Sequence, residues 1–149
     1  MIKIKAVDRQ NIFDVCELSA NQESTGKKVV RCSYCNAISI AEAKYDSEMH
    51  PNAIYNNDVL IGFFMYKRAE NQAEKATICR FMVNDGSQQK GLAEKALKHV
   101  LKGLKIQGVR NVVLIIDNSS ENMHDLYLSF GFRFIGRPNK TEYRYELEL

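Results

Sequence analysis

Gly91 and Ala93 stand at the start of an apolar helical pattern, in the stretch SQQKGLAEKALKHVLKGL at 87–104. Small residues there have a chemical use. They let the backbone come close to an anion, and the first N–H groups of a helix carry roughly half a positive charge with which to hold it. Gln88, Gln89, Lys90, Gly91, Leu92 and Ala93 are therefore candidate ligands for a pyrophosphate. Lys90 and Lys95 lie close enough to meet a phosphate, while Lys98, Lys102 and Lys105 read as a solvated face. The same letters also fit an ordinary loop feeding a surface helix, and spacing alone leaves both readings open.

Tyr127, in SENMHDLYLSFGF at 120–132, is the second candidate. A phenol with a pKa of about 10 holds its proton at neutral pH and can donate it. It serves equally as an aromatic that packs a helix onto a sheet. Glu42, Asp46 and Glu48 form an acidic group around one expected helix, either proton acceptors or solvated charge. Cys32 and Cys35 make one CxxC, and His50, His99 and His124 are scattered. A tetrahedral zinc needs two more ligands at matching spacing, so no metal site is expected.

These residues need a frame. IKIKAV at 2–7 alternates as a half-buried strand does. A helix is expected over 11–24 with Asn11 as its cap, then a loop or short helical turn over 25–36. A second helix is expected over 38–48, with Ser39 and Glu42 at capping-box spacing and His50-Pro51 as its stop. AIY at 53–55, the turn Asn56-Asn57-Asp58 and VLIGFFMYK read as a hairpin, and TICRFMV at 77–83 as a further strand. After the helix from Leu92, the nearly all-apolar NVVLIID at 111–117 suits a strand covered on both faces. A helix over 120–130 begins at Ser120 and ends at Gly131, and FRFIG and EYRYELEL close the chain as strands. Early hairpins mean antiparallel pairing, and the strand–helix–strand unit at 77–117 means a parallel crossover. The expected class is α/β, with a mixed, mostly antiparallel sheet flanked by helices.

At 149 residues the chain suits a single domain. A formal charge of +3, with lysines spread throughout, is too diffuse to argue for nucleic acid but is compatible with an anionic small ligand. The apolar runs, VVLII and LIGFFMY among them, are far too short for a membrane span, and MIKIKAVDRQ has no signal-peptide character. The expectation is a cytoplasmic protein with reduced thiols and no membrane partner.

Two motifs in this order resemble the GNAT superfamily of N-acetyltransferases. Val83 to Ala93 has the form V-x4-Q-x2-G-x-A, similar to that family's acetyl-CoA signature, and Leu126-Tyr127 to Gly131-Phe132 is similar to its L-Y-x3-G-F ending. Further segments, NAISIAEA at 36–43, AIYNNDVLIGFFMY, Arg80-Phe81-Met82-Val83 and FGFRFIG, resemble the bacterial spermine/spermidine acetyltransferase-like subgroup. The resemblance implies a GNAT fold over 1–149, acetyl-CoA as cosubstrate and transfer of acetyl to a primary amine, a polyamine first. It also implies a splay between the fourth and fifth strands. Met82 and Val83 would hold the pantetheine arm, residues 88–93 the pyrophosphate, and Tyr127 would protonate the departing thiolate.

Three departures stand out. Cys79 replaces the acid that polyamine acetyltransferases commonly place before the Arg-Phe pair, and it is expected to share a sheet face with Phe81. Ser120 replaces an asparagine, with Asn118 or Asn122 as substitutes for the polar contact, and Met123 replaces an alanine where the cofactor passes. Rivals to the polyamine are another small amine, such as an aminoglycoside or amino-acid derivative, and a non-catalytic acyl-CoA-binding module. The final strand offers an edge for a homodimer.

Overall fold

The computed structural model describes residues 1–18, 35–84, 91–117 and 124–149. Along the chain run β1 (Ile2–Ala6), α1 (Ile12–Glu17), α2 (Asn36–Tyr45), β2 (Met49–Asn56), β3 (Val59–Lys67) and β4 (Lys75–Val83). Then follow α3 (Leu92–Ile106), β5 (Asn111–Asp117), α4 (His124–Ser129), β6 (Arg133–Gly136) and β7 (Glu142–Glu148). A 3-10 turn at Glu70–Gln72 lies in the polar link before β4. The order of strands and helices is the one the periodicity predicts.

The described strands form one sheet in the order β1-β2-β3-β4-β5-β7-β6. Neighbours are antiparallel, except that β4 and β5 run parallel, joined by the α3 crossover. Asn57, with φ of 56°, closes the β2–β3 hairpin in the left-handed region that asparagine tolerates. The larger core holds Ala96, Leu97, Val100, Leu101 and Leu104 of α3 with Ala76 and Ile78 of β4 and Val112 and Leu114 of β5. The smaller one gathers Val15 of α1 and Ile40 of α2 with Ala53, Phe63 and Met65.

Several boundaries differ from expectation. Asn11 makes no side-chain cap; its Oδ1 accepts the Asp8 N–H at 2.8 Å and its Nδ2 donates to the Ala6 carbonyl at 3.1 Å, so it fastens the turn between β1 and α1. Residues 19–24 of that expected helix lie outside the described residues. Ser39 is no cap either. It is buried inside α2, which starts at Asn36, and its hydroxyl donates to the Cys35 carbonyl at 3.3 Å. α2 also stops earlier, because the Asp46 carboxylate accepts the Glu48 N–H at 3.1 Å and turns the chain before Pro51 is reached. Pro51 instead lies in β2, opposite Met65. The terminal strand β7 is no sheet edge: β5 and β6 flank it, and the edges are β1 and β6.

Candidate active site at the fork between β4 and β5

Parallel pairing of β4 with β5 runs from Lys75↔Asn111 to Ile78↔Leu114 and stops there. Beyond that row β4 follows β3 as far as Val83, and β5 follows β7 as far as Asp117. The two strands part, as the resemblance implies. A bulge helps to part them: Tyr66 pairs with Ile78 and Met65 with Arg80, so Cys79 is the extra residue that bends β4. The extra residue also resets the alternation of side chains. Cys79 and Met82 pack with the smaller core while Phe81 and Val83 pack with the larger. Cys79 and Phe81 thus lie on opposite faces, contrary to the spacing argument, which assumed a regular strand.

Gly62 sits across from Val83 at the lip of this fork. A Cβ at Gly62 would lie 2.4 Å from the Met82 carbonyl oxygen, inside any van der Waals contact. Only glycine lets β3 support the end of β4 this closely. An isolated glycine within a strand pattern was the available signal, and it passes unnoticed in an otherwise apolar run.

On the other side of the fork, Gly91 occupies the N-cap of α3 with φ of 92°, a conformation side chains resist. Among the described residues, nothing lies within 4 Å of where its Cβ would be. The Lys95 N–H donates to the Gly91 carbonyl at 2.9 Å as the first helical bond. Helix geometry leaves the N–H groups of Leu92, Ala93 and Glu94 outside the ladder. Leu92 itself is buried in the core, so its contribution to a ligand is its backbone. Gln88, Gln89, Lys90, Ser120 and Asn122 lie outside the described residues, as do Cys32, Asn118 and Met123.

Tyr127 is 1% exposed, its ring 6.3 Å from that of Phe132 and 5.8 Å from that of Tyr145. Tyr145 pairs with Leu114, the last β5 residue joined to β4, which puts Tyr127's ring neighbour on the row where the fork opens. Burial pushes the Tyr127 phenol well above the usual tyrosine range, and the Tyr145 phenol pushes it further. It therefore keeps its proton at neutral pH. Tyr145 is fully buried, and its hydroxyl is hydrogen-bonded to His124 Nδ1.

The opposite flank carries the acidic candidates. Asp46 is engaged by Lys67 at 2.9 Å, and this bond together with the Glu48 N–H holds its carboxyl below the usual range. Glu48 accepts the Glu70 N–H at 3.2 Å, while Glu42 is exposed on α2. Burial raises the Cys79 thiol; the charge of Arg80 opposes this and that of Glu42 adds to it, with Lys67 and Asp46 acting in the same two senses. Among the described residues, two cations and two carboxylates thus act on Cys79 together. Among the described residues no group of three or more His, Cys, Asp or Glu side chains is placed to hold a metal.

The Acetyltransferase (GNAT) family model matches residues 16–132. This chain belongs to the GNAT family. It is an acyltransferase of the N-acetyltransferase kind, with acetyl-CoA as its cosubstrate. It is similar to the spermine/spermidine N(1)-acetyltransferase of Bacillus subtilis strain 168, 27% identical over 143 residues, covering 91% of this chain and 90% of the relative. Its fold matches an acetyltransferase from Thermus thermophilus with a TM-score of 0.77 at 18% identity, over 99% of this chain and 97% of the other. It also matches the PaiA N-acetyltransferase of Thermoplasma acidophilum, solved in complex with coenzyme A, with a TM-score of 0.72 at 16% identity over 100% and 99% of the two chains. No helix among the described residues is long and apolar enough to cross a membrane.

Proposed function

We propose that this enzyme moves an acetyl group from acetyl-CoA to a primary amine of a small molecule, by direct transfer in a ternary complex. The observation that carries the reading is Tyr127, a phenol buried and protonated beside the row where β4 and β5 part. The fork and the left-handed Gly91 at the start of α3 fit a long phosphate-bearing cofactor. Met82 and Val83 would hold its arm through their strand N–H and C=O groups. Gln88, Gln89, Lys90, Gly91, Leu92 and Ala93 would hold its pyrophosphate at the start of α3, with Ser120 and Asn122 adding polar contacts. When bound, acetyl-CoA supplies an activated thioester.

Tyr127 holds a proton on Oη for the departing thiolate. On the other flank, an alkylamine is nucleophilic in only about one molecule in a thousand at neutral pH, so a base must take its proton. Glu42 is the best candidate, because Asp46 and Glu48 are already engaged. A covalent acetyl-cysteine is disfavoured: burial raises the Cys79 thiol and keeps it a weak nucleophile.

A polyamine is the first acceptor to test, on the strength of the Bacillus subtilis relative. The mixed charge acting on Cys79 favours a second reading, a less cationic amine such as an amino-acid derivative or aminoglycoside. Incubation with acetyl-CoA and a mixture of spermidine, spermine, an aminoglycoside and amino acids, read by mass spectrometry, separates them. An N-acetylpolyamine supports the first acceptor. Acetylation of another amine keeps the chemistry and removes the polyamine, and no product from protein that binds acetyl-CoA counts against both.

A further inference from the structure

We propose that His124 is a positioning residue, which acts through Tyr145 to hold Tyr127 at the fork. The described part of α4, His124–Ser129, is set on the sheet by what its side chains grip. His124 and Tyr127 are three positions apart and so lie on the same face of the helix. Both touch the same partner. The His124 ring meets Tyr145 edge-on at 5.3 Å and shares a hydrogen bond with its hydroxyl, and the Tyr127 ring tilts against Tyr145 at 5.8 Å.

Tyr145 is the right anchor. It is 0% exposed in the interior strand β7, in register with Leu114 of β5 on one side and Phe134 of β6 on the other. Phenylalanine would fill such a site equally well, so the hydroxyl carries a polar requirement that the core must meet. His124 meets it, the phenol donating to Nδ1 when the ring is neutral. Phe134 closes over the pair, 6.5 Å from the imidazole and 5.6 Å from the Tyr145 ring. The bond thus ties α4 to the sheet at His124, and Tyr127 lies about one turn further along the helix.

This inference rests on Tyr127 as the proton donor, and the test separates the two. His124→Leu, Tyr145→Phe, the double variant, His124→Asn and Tyr127→Phe are compared by steady-state kinetics and by the ring ¹³C resonances of labelled tyrosine with acetyl-CoA bound. His124→Leu and Tyr145→Phe should each lower kcat about tenfold, as misplacement of a reacting group does, with KM for acetyl-CoA unchanged and the Tyr127 resonance shifted. The double variant should lose no more than either alone, because one bond is removed once. His124→Asn, whose Oδ1 can accept the same hydrogen, should recover most of the rate. Variants that lower Tm but leave kcat and the Tyr127 resonance unchanged would overturn the inference. A Tyr127→Phe rate equal to wild type would overturn the proton-donor reading instead, while a shifted Tyr127 resonance in His124→Leu would still uphold the contact.

Discussion

The two flanks of the fork are built differently. The flank proposed for the cofactor is made of backbone: two strands that part after Ile78 and Leu114, a glycine that lets β3 crowd β4, and a left-handed glycine before a long helix seated on the larger core. The flank proposed for the acceptor is made of side chains: Cys79 on its bulge, Glu42, and the Asp46–Lys67 pair, over a smaller core beneath two short helices. Backbone geometry comes with the fold, so the reaction type follows from family membership. Side chains on a half-exposed flank change at little cost to stability, so the acceptor does not. This is why a motif match identifies the cosubstrate more sharply than the amine.

The contrast has consequences, and the largest is in stability. Leu97→Ala, on the fully buried face of α3, should cost about 4 kcal/mol by urea unfolding, and Ile40→Ala, in the smaller core, about 2 kcal/mol. Equal losses would break the distinction between the two cores. Gly62→Ala comes next. It forces a methyl against the Met82 carbonyl and should cost about 1–3 kcal/mol, with KM for acetyl-CoA rising and KM for the acceptor holding. A rise confined to the acceptor would mean that Gly62 serves the other flank.

Cys79→Ser should leave kcat within about a factor of two, since a protonated, half-buried thiol does no chemistry there. A loss of a hundredfold or more would reopen a cysteine nucleophile. The smallest effect belongs to the exposed Asp46–Lys67 pair. Asp46 has a depressed pKa, so its contribution to stability is present above the ordinary carboxylate pKa and is lost as pH falls through its folded value. Lys67 is raised, so its share persists until pH climbs past the ordinary lysine pKa. Asp46→Asn should therefore lower Tm slightly at pH 7, by an amount that shrinks as the pH falls below the ordinary carboxylate pKa. A Tm difference that does not shrink with falling pH would mean that the pair is not its source.

Much of this frame was legible in the sequence. Alternation in IKIKAV, the stripe from Leu92 to Leu104 and the apolar NVVLIID marked out elements in order, because each is set by local periodicity. What was missed is non-local. The bulge at Cys79 exists only relative to β3, and the Gly62 contact only relative to Met82. His124 and Tyr145 are 21 residues apart, and nothing in either neighbourhood announces the other. The α2 boundary failed for a local reason, since the Asp46 turn ended the helix before the proline that seemed to mark its end.

The most direct measurement is the kcat of Tyr127→Phe beside wild type, with KM for acetyl-CoA taken on the same preparations. Loss of the hydroxyl alone should lower kcat about a hundredfold and leave KM within about twofold, as removal of a general acid does. In wild type the rate should show no fall from phenol ionisation up to about pH 10, the ordinary tyrosine pKa, because burial keeps this hydroxyl protonated. An unchanged kcat in Tyr127→Phe would mean that the ring only packs α4 on the sheet, and that the proton for the thiolate comes from elsewhere.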